Sequence, residues 1–438
     1  MTAGRDDSST PGRRTVLKTV GGAGLGAILG SQPAIAQRAD RVKWTFETDD
    51  TGNSTPTVVD GTVFSAFSDT TLYAIDAETG DQQWSFQADD TLFGVMVGDG
   101  TVVTTSSETL YAVDTETGDK QWSFQIDAGV SSRTTVVDGR VFIPTTDGNL
   151  YVVDAETGNE AWVFENDGHD APVTTVSDGT VYVASDAKNM YALDAETGTE
   201  EWVFETDTGV SILTSVVDGT IVVGTEHDTL QAVVALHAVD VETEQEQWVF
   251  DPDRRVGYAT VNNGTVYVGT DDSTLHAVDL ATGEKQWAFD HTAGLFSQPT
   301  VVDGTVFIGG QELSAVAAET GDEVWTYDFG EEQFTSPTVA DGTVFAGSGD
   351  GTVYALEAAT GREGWVLDTG PGRSATPTVV DGTVFVDSDQ LYAIEAAVET
   401  YTDRTESATV PGFGIGGAIA AIGATGYMLH RRLSNDRQ

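Results

Sequence analysis

Between residues 44 and 396 the chain alternates short apolar runs with polar turn dipeptides, and the alternation reads as strand throughout. One unit runs Pro56-Thr57-Val58-Val59-Asp60-Gly61-Thr62-Val63-Phe64, then Leu72-Tyr73-Ala74-Ile75-Asp76-Ala77-Glu78-Thr79-Gly80, and reaches Trp84-Ser85-Phe86. Each run is short, rich in β-branched and aromatic residues, and bounded by turn formers, which predicts four strands per unit. Asp-Gly favours the type I′ turn of a two-residue hairpin, so the first two strands are paired neighbours. No stretch of this region keeps a helical period of apolar positions. The fold class is therefore all-β.

The unit recurs. All nine tryptophans, Trp44, Trp84, Trp122, Trp162, Trp202, Trp248, Trp287, Trp325 and Trp365, fall 38 to 46 residues apart. Nine Asp-Gly or Asn-Gly turns, from Asp60-Gly61 to Asp381-Gly382, keep the same beat. Four antiparallel strands per period of about 40 residues describe a propeller blade, and such blades bury both faces only by stacking around an axis. The last unit stops at Leu391-Tyr392-Ala393-Ile394-Glu395 without a tryptophan, while Trp44-Thr45-Phe46 has no unit before it. The expectation is that the opening strand completes the last blade and closes the ring. The beat breaks at Thr243-Glu244, where Thr-Gly is lost, and between Glu226 and Ala238, where six extra residues enter.

The segment A-x-D-x-x-T-G-x-x-x-W, as in Ala74 to Trp84, resembles the repeat of pyrroloquinoline-quinone (PQQ)-type propellers. That resemblance implies a single propeller of four-stranded blades. It also implies that Trp84, Trp122, Trp162, Trp202, Trp248, Trp287, Trp325 and Trp365 dock neighbouring blades rather than carry chemistry. The family norm is eight blades and the repeat count is nine; the family number is weakly favoured. Quinone-dependent dehydrogenases of this type are implied to hold PQQ at the propeller centre, beside a vicinal cysteine pair, a calcium-binding acid and a catalytic aspartate. The chain has no cysteine, so it has no such disulfide and no thiolate site. At the level of fold it is similar to the BamB family of outer-membrane assembly lipoproteins, tethered propellers without cofactor. The expectation is a non-enzymatic binding or scaffold module with no catalytic residue, metal site or cofactor. A PQQ-dependent alcohol or sugar oxidoreductase is the alternative.

Charge narrows the partners. Seventy acidic residues against 20 basic ones give a formal net charge of −50, which repels nucleic acid and anionic lipid. The balance resembles that of proteins from extremely halophilic archaea, where molar salt shortens the Debye length to roughly 3 Å. The aspartates of the D-x-E-T-G segments read as turn residues bonding their own backbone, and the six histidines show no ligand spacing. Five basic or titratable residues, Arg133, His169, Arg254, Arg255 and Arg373, lie in segments that lead into first strands. If those strands line the channel, the five ring one mouth and form a small site for an anionic ligand or a peptide carboxylate. Local pairing with surplus carboxylates is the competing reading.

The two ends read as targeting signals. Residues 1–36 resemble a twin-arginine (Tat) signal: Arg13-Arg14, an apolar stretch from Val20 to Gly30, and Ala34-Ile35-Ala36 as cleavage site. After the propeller (44–396) comes a polar linker (397–410). Then follows segment 411–432, with Pro411-Gly412-Phe413, an apolar run to Leu429 and Arg431-Arg432. This resembles the PGF-type sorting signal of haloarchaeal surface proteins, in which the span is exchanged for a lipid; a plain membrane anchor is the other reading. Either places a monomer on the outer face of the cell membrane, with an envelope or surface protein as its partner.

Overall fold

The computed structural model describes residues 41–48, 54–98, 100–130, 134–166, 172–184, 188–206, 209–214, 216–227, 232–291, 297–329, 335–370, 376–398 and 401. Within them the chain forms 36 strands in nine four-stranded antiparallel sheets and no helix. Eight sheets are contiguous in sequence, blades 1 to 8. Blade 1 holds β2 (Thr57–Val59), β3 (Thr62–Ala66), β4 (Thr71–Asp76) and β5 (Gln82–Gln87), the four runs read from the sequence. The ninth sheet joins β34 (Thr378–Val380), β35 (Thr383–Asp387) and β36 (Leu391–Glu395) to β1 (Val42–Phe46). Trp44 faces Ala393 and Phe46 faces Leu391 in that pairing, so the opening strand closes the ring as expected. The repeat count is the blade count, and the leaning towards eight blades is corrected to nine. Every unit with four strand-length runs bounded by turns makes a blade, and the split unit is completed across the termini.

The turns explain the regularity. Asp60, Asp138, Asp178, Asp218, Asn263, Asp303, Asp341 and Asp381 all take φ between 45° and 49°, with the following glycine also left-handed, as a type I′ hairpin needs. Within each D-x-E-T-G segment the aspartate closes its own turn: Asp76 Oδ1 accepts from the N–H of Glu78 (3.1 Å) and of Thr79 (2.8 Å). These bonds hold the carboxyls of Asp76, Asp114 and Asp240 below the usual range, first through the threonine N–H. At Asp154, Asp194 and Asp279 the threonine hydroxyl is the larger cause.

Between blades the tryptophans carry the contact. Trp84 Nε1 donates to Thr115 O of the next blade (2.9 Å), Trp122 to Ala155 O (2.9 Å), Trp248 to Leu280 O (2.7 Å) and Trp325 to Ala358 O (2.9 Å). The ring lies flat on the next blade's Thr-Gly glycine; a Cβ on Gly118 would sit 2.7 Å from Trp84, and one on Gly158 2.5 Å from Trp122. Around the inside, threonines of the first strands stitch neighbours together: Thr260 Oγ1 donates to Pro299 O (2.7 Å), Thr300 to Pro337 O (2.8 Å), Thr338 to Pro377 O (2.7 Å) and Thr378 to Pro56 O (2.9 Å). The first strands are thus the innermost. The six extra residues of blade 5 lengthen a hairpin, β19 (Thr220–His227) with β20 (Ala232–Asp240), instead of forming a separate loop.

Candidate functional site: the two faces of the ring

Strand direction gives the ring two distinct faces. The turn face carries the Asp-Gly and Thr-Gly turns. The mouth face carries the segments that lead into the first strands and the hairpins between second and third strands. The first and last described residues of the propeller meet on the turn face. Arg41 O accepts from Glu395 N (2.8 Å), and Arg41 Nη1 donates to Ala397 O (2.5 Å). Further on, Tyr401 lies over blade 8, its carbonyl accepting from Arg362 Nη2 (2.6 Å) and its hydroxyl 2.8 Å from Thr343 Oγ1.

On the mouth face the structure describes two of the five basic positions. Arg254 and Arg255 are exposed and immediately precede β22 (Val256–Asn262), the innermost strand of blade 6. Arg254 Nε lies 3.1 Å from Asp272 Oδ2, on the second hairpin of the same blade. Hydrogen bonds, the Thr270 hydroxyl first and then Arg254, hold Asp272 below the ordinary carboxylate range. Arg254 is therefore paired locally, while Arg255 makes no ion pair among the described residues. Tyr258, 58% exposed, follows on the same strand, and Phe93, 39% exposed, opens the innermost strand of blade 2. Arg133, His169 and Arg373 lie outside the described residues, so the ring of five is not assembled by the described structure.

Two features escaped the sequence reading. On the turn face, a cavity of about 400 Å³ lies between blades 3 and 4, lined by Arg140, Phe142, Asp154, Val176 and Asp194 among others. Arg140 follows its Asp-Gly turn where the other eight blades have threonine. Its Nη1 meets Asp154 Oδ2 at 2.7 Å, so its charge is spent on the turn aspartate of its own blade. The second feature is Asp387, buried at the junction of blades 9 and 1, with Ser65 Oγ donating to its Oδ2 at 2.5 Å. A column of residues at equivalent strand positions would have exposed both.

Among the described residues a quinone site of the dehydrogenase kind finds no donor set. The chain lacks cysteine, and among the described residues no three histidine or carboxylate side chains converge as metal ligands. The turn aspartates are committed to their own turns and Asp272 to Thr270 and Arg254. No reaction step follows from these residues.

The profile of a protein family described as "Outer membrane protein assembly factor BamB" matches the chain at residues 33–95, 90–177, 166–251, 233–310 and 271–407. The chain belongs to this family. BamB from Moraxella catarrhalis is similar in structure, with 18% identity, a TM-score of 0.56, and 80% of this chain and 98% of that one covered. A europium-containing methanol dehydrogenase is similar at 14% identity and TM-score 0.53, over 73% of this chain and 86% of that one. So is a quinohemoprotein alcohol dehydrogenase from Pseudomonas putida HK5, at 17% and 0.52, over 84% of this chain and 78% of that one. At such identities these structures share the fold alone. No curated protein matches the chain. Among the described residues no helix is long and apolar enough to cross a membrane; the signal-like and C-terminal apolar segments lie outside them.

Proposed function

We propose that the protein is an exported, membrane-tethered propeller that acts as a non-enzymatic binding module at the cell surface, with the mouth face as its docking surface. The observation that carries this reading is that the first and last described residues lie on the turn face, where Arg41 meets Ala397 and Tyr401 is pinned to blade 8. A tether through residues 397–432 holds the turn face towards the membrane and presents the opposite face outward. That face offers Arg255, Tyr258 and Phe93, a mixture of exposed cation and aromatic surface of the kind enriched in protein interfaces. Membership of a family described as an assembly factor supports a scaffold role. Arg133, His169 and Arg373, with Arg254 and Arg255, remain the proposed anchors for an anionic group of the partner.

The absence of cysteine makes the test direct, because single cysteines can be introduced without background. In whole cells, a membrane-impermeant maleimide is expected to label Tyr258→Cys well and Glu116→Cys, on the turn face, poorly. A photo-crosslinker at position 258 is expected to trap a partner that one at position 116 does not, and Arg255→Ala with Arg254→Ala to weaken the trapping. Equal labelling of both faces would remove the orientation. Release of a quinone chromophore on denaturing the purified protein in high salt would overturn the non-enzymatic reading.

A further inference from the structure

Nine blades of near-identical sequence meet at nine junctions, and one junction differs from the rest. Four residues after the first residue that follows each Asp-Gly or Asn-Gly turn, one residue of the second strand faces an apolar residue of the third. That residue is Gly224, Gly269, Gly309 or Gly347 in four blades and alanine, threonine or proline in four more. In blade 9 it is Asp387, opposite Leu391. Its partner across the junction, Ser65, stands where seven other blades carry an aliphatic residue and one carries Thr104. Ser65 is fully buried and Asp387 is 3% exposed. Asp387 Oδ1 and Ser388 Oγ are buried without a hydrogen-bond partner among the described residues. This is also the junction next to the seam where the ring closes by strand pairing, β1 with β36, and where Trp44, Phe46, Phe67 and Tyr73 pack together.

We infer that the Asp387–Ser65 pair is a pH-sensitive latch on ring closure, shut while the carboxyl is protonated and loosened when it ionises. A buried carboxyl, where no other described junction buries one, marks one register as the correct one. Among the described residues a charge there has no counter-ion. From blade 1, Tyr73 faces the junction with its hydroxyl bonded to Asp69 (2.7 Å); Tyr392 of blade 9, bonded to Asp389 (3.1 Å), packs on the opposite side, against blade 8. On β1, Lys43 is held by Thr383 (2.6 Å) near the turn face, at the other end of the strands. No described cation hydrogen-bonds Asp387. Burial accordingly pushes its carboxyl up to about 7, while the Ser65 hydrogen bond pulls the other way. Because this lies above the unfolded value of 3.8, the closed junction gains most in acid. It loses that gain as the pH climbs between the two values and levels off above about 7.

Hydrogen exchange of the intact protein in constant high salt, read on the peptide covering 42–46, tests this. Corrected for intrinsic exchange, opening of β1 is expected to rise by up to about tenfold per pH unit between about pH 5 and 7. Asp387→Asn keeps the acceptor and removes the titration, and should flatten that dependence. Asp387→Gly, which restores the residue of four other blades, should do the same and serves if the amide is not tolerated. Infrared spectra of the unmutated protein should show a protonated carboxyl that disappears with a midpoint near 7. An unchanged pH dependence in either variant, or no such carboxyl band, overturns the latch. A mouth face that binds nothing would leave this result untouched.

Discussion

Gly118 and Gly100 are both left-handed glycines of blade 2, with φ of 75° and 76°, yet they stand for different constraints. Nothing lies within 4 Å of a Cβ on Gly100, whereas one on Gly118 strikes the Trp84 ring at 2.7 Å. Gly100→Ala should cost only the left-handed backbone, about 1–2 kcal/mol. Gly118→Ala adds overpacking and should cost about 2–4 kcal/mol. Unfolding midpoints in denaturant, at fixed high salt, would separate the two. Glu244 tests the same rule from the other side: it holds φ 62° at the position where the other contiguous blades have glycine, while Thr243 still bonds Asp240. Glu244→Gly should therefore stabilise the protein by about 1 kcal/mol. The Thr-Gly signature was legible as a turn. That its glycine is also a seat for the preceding blade's tryptophan was not, because the two lie more than thirty residues apart and meet only in the ring.

At the scale of elements, strand order could be read because the first hairpin of each unit announces itself with Asp-Gly or Asn-Gly and each strand keeps its apolar period. The pairing of Trp44-Thr45-Phe46 with Leu391–Glu395 followed from one unpaired strand at each end. The extra residues of blade 5 misled only in kind. They read as an insertion, but the segment is rich enough in valine and alanine to continue both strands of the hairpin. Removing residues 42–46 should leave β36 as an open edge beside an exposed apolar junction, and such edges pair with other chains. The truncated protein is expected to self-associate in sedimentation or light scattering. Adding a peptide of residues 41–48 should return it to the size of the intact chain.

For the whole molecule, two sets of carboxyls bound the pH range of stability from opposite sides. The turn aspartates have lowered folded values, so their contribution is present above 3.8 and is lost as the pH falls below it. Asp387 acts in reverse and is lost as the pH rises towards about 7. The melting temperature should therefore peak in mildly acidic solution, and the decline on the alkaline side should shrink in Asp387→Asn. A net charge of −50 also predicts that the melting temperature climbs with sodium chloride into the molar range, as screening relieves self-repulsion. The candidate site was less legible than the fold. Arg254 and Arg255 were found as departures from an acidic background, but the ion pair with Asp272 depends on a hairpin that the linear spacing does not bring to mind. Asp387 hid among 70 acidic residues, since only the uncharged residues at its position in the other eight blades make it unusual.

The meeting of Arg41 with Ala397 has one more consequence. With start and finish adjacent, the circle has no geometric need to begin where it does. A circular permutant that joins these two positions through a short linker and opens at another blade boundary should rebuild the same ring. Its native seam would then be held by a covalent bond rather than by β1 alone, and the vulnerability to opening would move to wherever the new ends are placed. Comparing unfolding rates of permutants opened at successive boundaries would map how unequal the nine outwardly similar junctions are, with the original one expected to be the only site whose rate depends on proton concentration near neutrality.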